Sequence, residues 1–301
     1  MKFSTFFNLM LFRGIDVCLD FSQNGLSKKI DGIVEKKNVF YKESKNVQQA
    51  FDAYLHQDET IRPALFYVHG GGFVAGDKKH RRRMCREIAS LGFNVFCVNH
   101  SLAPKCTYPG ALFDLDDALL YITSRADEYR IDTERLVVGG DSSGGFWSAL
   151  FTVALSNEEV KKAYGLKSEV KFKYAFFNCG LYDLNTALGQ KTLFNISTGL
   201  FYDIFGKEYS EEVEVDKYVS SVDFVTKDFP KTFVIYAEKD YFCACQAEKL
   251  IEKLNSLGLE YDEFHSTDNK NNHCFCLSYR KKLSKECNAK LNAFLKEICS
   301  Q

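Results

Sequence analysis

Short apolar runs alternate along this chain with amphipathic stretches. Runs at 64–69, 94–98, 135–139, 174–177, 232–236 and 259–264 have strand length and are mostly rich in β-branched and aromatic residues. Between them, 81–91, 109–129, 143–155, 245–257 and 284–298 repeat their apolar residues at helical spacing. Strands regularly separated by helices predict an α/β fold with a mostly parallel sheet and crossover helices. Residues 33–41 and 47–56 read as leading antiparallel strands. From 184 to 229 the alternation breaks into helical fragments, aromatics that look exposed (Phe194, Phe201, Tyr202, Phe205) and an acidic patch (Glu208, Glu211, Glu212, Glu214). Sheet strands lie on either side, so this is an insertion, and an insertion above such a sheet is expected to build a cap over a site.

The N-terminus adds a second candidate cap element, from about residues 1–30. Phe3, Phe6, Phe7, Met10 and Leu11 recur at helical spacing, which predicts an amphipathic helix with that face buried against the body or over the site. A signal peptide fits less well: Ser4, Thr5 and Asn8 interrupt the apolar stretch, Arg13 ends it and no small-x-small cleavage site follows. No run reaches the ~18 apolar residues of a membrane span.

Composition bounds the function classes. The 301 residues are 46 % hydrophobic and 26 % charged, enough apolar material for one large core, although length alone also permits two domains. The motif order below favours a single domain over 1–301. Thirty-nine basic against 40 acidic residues leave a net charge of -1, which provides no global field for nucleic acid or an anionic membrane. The one local basic run, Lys78, Lys79, His80, Arg81, Arg82 and Arg83, is expected to be a solvated helix face. Eleven scattered cysteines do not form a disulfide framework and point to a reducing cytoplasm. Cys243 with Cys245 and Cys274 with Cys276 lie near His265 and His273 in sequence, but C-x-C is not common zinc spacing; buried hydrophobic thiols and no metal are expected.

Gly140, Ser142 and Gly144 form G-x-S-x-G where an apolar strand ends and a helix begins. That context is what a nucleophile elbow requires, because larger side chains two residues either side of the serine would collide with the neighbouring strand and helix. Ser143 does not satisfy the frame, and the G-K-[ST] ending of a phosphate loop is missing; a structural glycine turn is the alternative. Upstream, His69-Gly-Gly-Gly-Phe73 follows another strand and offers backbone donors for an oxyanion hole, assigned to Gly71, Gly72 and Ser143. In this fold the serine is followed by an acid and then a histidine. Only His265 and His273 lie beyond Ser142; His273 sits after the polar loop 266–272, where a mobile base belongs. Asp240 follows the 232–236 strand through a short turn, and Glu238, Asp262 and Asp268 fit less well.

These residues resemble the hormone-sensitive-lipase-type esterases, a branch of the α/β-hydrolases. The marks are His69-Gly-Gly-Gly-Phe73, Ser101-Leu-Ala-Pro-Lys-Cys-Thr-Tyr-Pro109, Asp132-Thr-Glu-Arg135, Gly140-Asp-Ser-Ser-Gly-Gly145, Ala237-Glu-Lys-Asp240 and His273-Cys-Phe275, in family order over about two-thirds of the chain. The resemblance implies a triad of Ser142, Asp240 and His273, oxyanion donors at Gly71, Gly72 and Ser143, no cofactor, short acyl esters as substrates, and a cap from the N-terminus and the insertion. Ser143 stands where the family more often has alanine, Tyr241-Phe242 replaces Pro-Leu and Asn178-Cys179 replaces Ser-Pro.

The expectation is a cytoplasmic serine carboxylesterase acting on a small-molecule ester, with neither nucleic acid nor a membrane span, and compatible with a homodimer. Amide, formamide or sugar-acetyl hydrolysis by the same triad, and a non-catalytic small-ligand receptor on this fold, are the alternatives.

Overall fold

The computed structural model describes residues 2–23, 27–189, 196–210 and 215–301. Its centre is an eight-stranded sheet ordered β1-β2-β4-β3-β5-β6-β7-β8: β1 (Ile33–Phe40), β2 (Ala50–His56), β3 (Arg62–Val68), β4 (Asn94–Val98), β5 (Ile131–Asp141), β6 (Tyr174–Asn178), β7 (Lys231–Ala237) and β8 (Tyr261–Ser266). β1 pairs antiparallel with β2 and β2 with β4; every later pair is parallel. The expected leading strands are present, with Val47–Gln49 forming a 3-10 turn instead of strand.

The central strands are apolar on both faces, as a sheet covered on both sides demands. Ala64, Phe66 and Val68 of β3 point into one core and Leu65 and Tyr67 into the other. The first core is closed by α3 (Gly110–Thr123), α5 (Ser143–Ser156), α6 (Glu158–Tyr164) and α9 (Gln246–Leu257). The second is closed by α2 (Arg82–Ala89) and α10 (Lys282–Cys299). The helix expected over 109–129 breaks into α3 and the one-turn α4 (Ala126–Tyr129). α6 was not foreseen, yet its signals are in the sequence: Asn157 Oδ1 accepts from the N–H groups of Glu159 and Val160, and Gly165 ends the helix at φ 64.

Two expectations fail. The basic run is not a solvated helix face: Lys78–Arg81 is a 3-10 turn, and Lys78 and Arg81 are only 2 % and 1 % exposed. Arg81 is drawn inside by a carboxylate partner, Asp141, which hydrophobic periodicity does not reveal. At the N-terminus the helix α1 (Phe3–Gln23) forms, but with a different face inward. Phe3, Phe6, Phe7 and Met10 are exposed, Phe3 by 84 %, while Thr5, Asn8, Phe12 and Asp16 are buried. Polar anchoring chose the face: Thr5 Oγ1 and Asn8 Nδ2 both donate to the carboxylate of Asp203, which is fully buried.

Asp203 belongs to α8 (Ile196–Phe205), which with α7 (Leu184–Gly189) occupies the insertion. Phe201 is buried, contrary to its exposed-looking context, because α8 lies between α1 and the sheet end. Phe194, Glu211, Glu212 and Glu214 lie outside the described residues. All eleven cysteines are free thiols. No helix among the described residues is long and apolar enough to cross a membrane.

Candidate active site

Ser142 occupies the turn between β5 and α5 at φ 54, ψ −124, a strained backbone for a side chain other than glycine. Its N–H donates to Asn178 O at 2.9 Å, and Phe146 N–H donates back to its carbonyl at 3.1 Å, which pins the turn to β6 and α5. The flanking glycines are required by space: a Cβ on Gly140 would stand 2.4 Å from Gly144 O, and one on Gly144 would stand 2.3 Å from Val68 O.

The loop after β8 carries His273 over this turn. His273 Nε2 lies 2.8 Å from Ser142 Oγ, and Nδ1 lies 2.9 Å from both carboxylate oxygens of Asp240. An ionised carboxylate only accepts, so Nδ1 carries the proton and Nε2 is free to accept from the serine hydroxyl. Asp240 Oδ1 also accepts from the N–H groups of Phe242 at 2.8 Å and Cys243 at 2.9 Å. Burial pushes the Asp240 carboxyl upward, but the His273 contact and these two N–H donors outweigh it, so its pKa lies below the ordinary carboxylate value. The histidine loop and the aspartate turn are clasped by Asn272, whose Oδ1 accepts from Tyr241 N–H at 3.0 Å and His273 N–H at 2.8 Å.

The loop after β3 passes beside this turn, where a Cβ on Gly70 would stand 2.9 Å from Ser142 Cβ, and continues through Gly71 and Gly72. Ala75 N–H donates to Gly71 O at 2.9 Å, closing the turn, and Gly72 at φ 61 lies so near α1 that a Cβ would stand 2.3 Å from the Phe12 ring. Ser143 is the first residue of α5, where backbone N–H groups lack helical partners. Ser142 and Ser143 border an open cleft whose space, outside solvent included, is about 640 Å³. Its remaining walls are apolar side chains and one thiol, among them Phe12 from α1, Leu184 and Ala187 from α7, Phe201 and Phe205 from α8, with Phe242 and Cys243 beside the aspartate turn.

His265 is exposed at the end of β8, its ring stacked on Tyr236 at 4.4 Å. Of the C-x-C pairs, the fold brings Cys243 and Cys274 to His273 but leaves Cys245 exposed and turns Cys276 into the second core.

Three features escaped the sequence. Asp141, one residue before Ser142, is buried against Arg81 and accepts the Tyr67 hydroxyl at 2.7 Å. Asn272 is the clasp, and Phe12 is a cavity wall. Only Asp141 had a signal, an acid in an otherwise apolar and glycine-rich segment with a cation needed nearby.

An eight-stranded, mostly parallel sheet with a serine on the strained turn after β5, facing a histidine and an aspartate from later loops, defines an α/β-hydrolase. Residues 51–254 match the sequence profile of the BD-FAE family, and the chain belongs to that family. An acetyl esterase of Salmonella paratyphi A is 28 % identical over 188 residues, 60 % of this chain and 56 % of the relative. The chain thus spans little more than half the length of the curated relatives it matches. Esterase B from Lactobacillus rhamnosis superposes with a TM-score of 0.84 at 18 % identity, covering 99 % of this chain and 96 % of the other. A bacterial heroin esterase superposes at 0.74 with 23 % identity, covering 97 % and 93 %. These likenesses establish the α/β-hydrolase fold and agree with the hormone-sensitive-lipase-type resemblance of the motifs.

Proposed function

We propose that the protein is a serine carboxylesterase that hydrolyses short-chain carboxylic esters through an acyl-enzyme. The observation that carries this reading is the relay from Asp240 through His273 to Ser142, with contacts of 2.9 and 2.8 Å, at the head of an apolar cavity. His273 takes the Ser142 proton as Oγ adds to the ester carbonyl, and the oxyanion accepts hydrogen bonds from the N–H groups of Gly71, Gly72 and Ser143. The proton then passes to the leaving alkoxide, which departs as alcohol. Water, deprotonated by His273, adds to the acyl-enzyme; the carboxylic acid leaves and Ser142 regains its proton. No cofactor enters these steps.

In this reading α1 and the 184–229 insertion form the cap, and residues 1–301 act as one unit around the single sheet. Support comes from Phe12, which meets Phe201 and Phe205 in one cavity wall although it lies far from them in sequence. The acetyl esterase relatives favour a small acyl group. The free thiols favour a reducing, cytoplasmic setting.

The test is turnover of p-nitrophenyl esters from acetate to palmitate, followed by acetylated saccharides. Activity greatest on the short esters supports the proposal. Turnover of amides in preference to every ester, or none at all by a folded protein that binds esters, would replace it with the amidase or receptor reading.

A further inference from the structure

Three buried thiols crowd the relay without a part in acyl transfer. Cys179 follows β6, Cys243 lies in the turn that holds Asp240, and Cys274 follows His273. Cys274 N–H donates to Cys179 Sγ at 3.2 Å, and Cys274 Sγ lies 3.7 Å from Asn178 O. The sulfurs of Cys179 and Cys274 and a ring nitrogen of His273 lie within 4.8 Å of one another; so do a carboxylate oxygen of Asp240, the Cys243 sulfur and a ring nitrogen of His273. His273 is common to both sets. Among the described residues these are the only two places where three or more such donor atoms converge.

We propose that Cys179, Cys274 and His273 form a binding site for a thiophilic divalent cation such as Zn²⁺ or Cd²⁺, with water as the fourth donor, and that its occupancy switches the triad off. This rests on the reading of Ser142, His273 and Asp240 as the triad. The donor set of two sulfurs and one imidazole, with an open fourth position for water, suits such a cation. Metal–ligand bonds of about 2.0–2.3 Å place tetrahedral donors roughly 3.3–3.8 Å apart, so a movement of about 1 Å closes the present spacing. The cation replaces two thiol protons, which go to solvent, and no electron is transferred. A lone pair of His273 given to the metal is lost to the relay: bound through Nε2 the ring cannot accept from Ser142, and bound through Nδ1 its one proton moves to Nε2, with the same result. Cys243 and Ser142 border the open cavity, which gives the ion its path.

The experiment titrates the full chain with Cd²⁺ and follows both the thiolate-to-cadmium ultraviolet absorption and p-nitrophenyl butyrate turnover. The expected result is saturation of both with one equivalent, while Mg²⁺, which takes oxygen ligands, changes neither. The double variant Cys179→Ser/Cys274→Ser should keep its basal turnover and need at least ~100-fold more Cd²⁺ for half-inhibition; Cys179→Ala/Cys274→Ala serves if the serine pair does not fold. Should the untreated protein turn over no ester, the triad reading fails separately, and the absorption of wild type against the double variant still decides the metal site. Inhibition unchanged in the double variant, or full absorption with undiminished turnover, overturns the proposal.

Discussion

Arg81 and Asp141 face each other in a two-pronged ion pair beneath the turn that carries Ser142, Nε to Oδ1 at 2.8 Å and Nη2 to Oδ2 at 2.5 Å. Both are almost wholly buried, so each neutralises a charge that the core would otherwise expel. Burial raises the Asp141 carboxyl, but the Arg81 charge and hydrogen bonds, with the Tyr67 hydroxyl, hold its pKa below the ordinary value.

Asp141→Asn should therefore destabilise the fold by ~3–5 kcal/mol, because it leaves the Arg81 charge buried and unpaired. The sign of the pH effect follows from the depressed pKa. The contribution is fully present above the unfolded value of about 3.9 and is lost as pH falls through the lower folded value. Urea melts between pH 7 and 3 should show a shallower acid decline in Asp141→Asn than in the wild type, not flat because Asp240 is depressed in the same direction. Parallel declines would refute this account of the pair.

Ser142→Ala should lower kcat by roughly 10⁴-fold or more with an unchanged thermal melt, since the covalent route is removed and the oxyanion donors remain. A fluorophosphonate should label Ser142 and no other serine. His273→Ala should be as damaging, while His265→Ala, at an exposed site stacked on Tyr236, should leave turnover within a factor of about two. Labelling at Ser143, or inactivation by the His265 change alone, would overturn the assignment.

Asn272 separates positioning from chemistry. Its side chain bridges the Tyr241 and His273 amides, so Asn272→Ala should loosen His273 and lower kcat by ~10–100-fold while leaving KM nearly unchanged. Asp240→Asn acts differently: the ring keeps its place but can adopt the wrong tautomer, with an expected loss of ~10⁴ in kcat. Equal losses in single-turnover acylation for the two variants would deny Asn272 its positioning role.

What was legible in the sequence was whatever depends on local pattern. The parallel strands, the elbow and the order serine, aspartate, histidine follow from period, glycine spacing and chain direction, and the structure brings Ser142, Asp240 and His273 within hydrogen-bond reach. What was not legible depends on partners distant in sequence. Arg81 looked solvated because Asp141 is 60 residues away. The face of α1 was misjudged because Thr5 and Asn8 are anchored by Asp203, nearly 200 residues on, and hydrophobic periodicity gives a buried polar latch no weight.

That latch governs the last prediction. With Thr5 and Asn8 bound to Asp203, α1 presents Phe12 to the cavity, where the ring covers Gly72 and lies 6.0 Å from Phe242. Phe12→Ala removes a wall but keeps the latch. Space for the acyl chain grows, and a short acyl group loses contact worth on the order of 1–3 kcal/mol, or 10–200-fold in discrimination. The kcat/KM for acetate should therefore fall while that for longer acyl esters falls less or rises, shifting the optimum to longer chains. Asp203→Ala does the reverse: it leaves the wall residues intact and unlatches the helix, so kcat/KM should fall across all chain lengths with little change in profile. Both variants should still react with fluorophosphonate at Ser142, because neither touches the triad. An unchanged acyl-length profile in a well-folded Phe12→Ala protein would remove α1 from the substrate pocket and leave it only a structural helix.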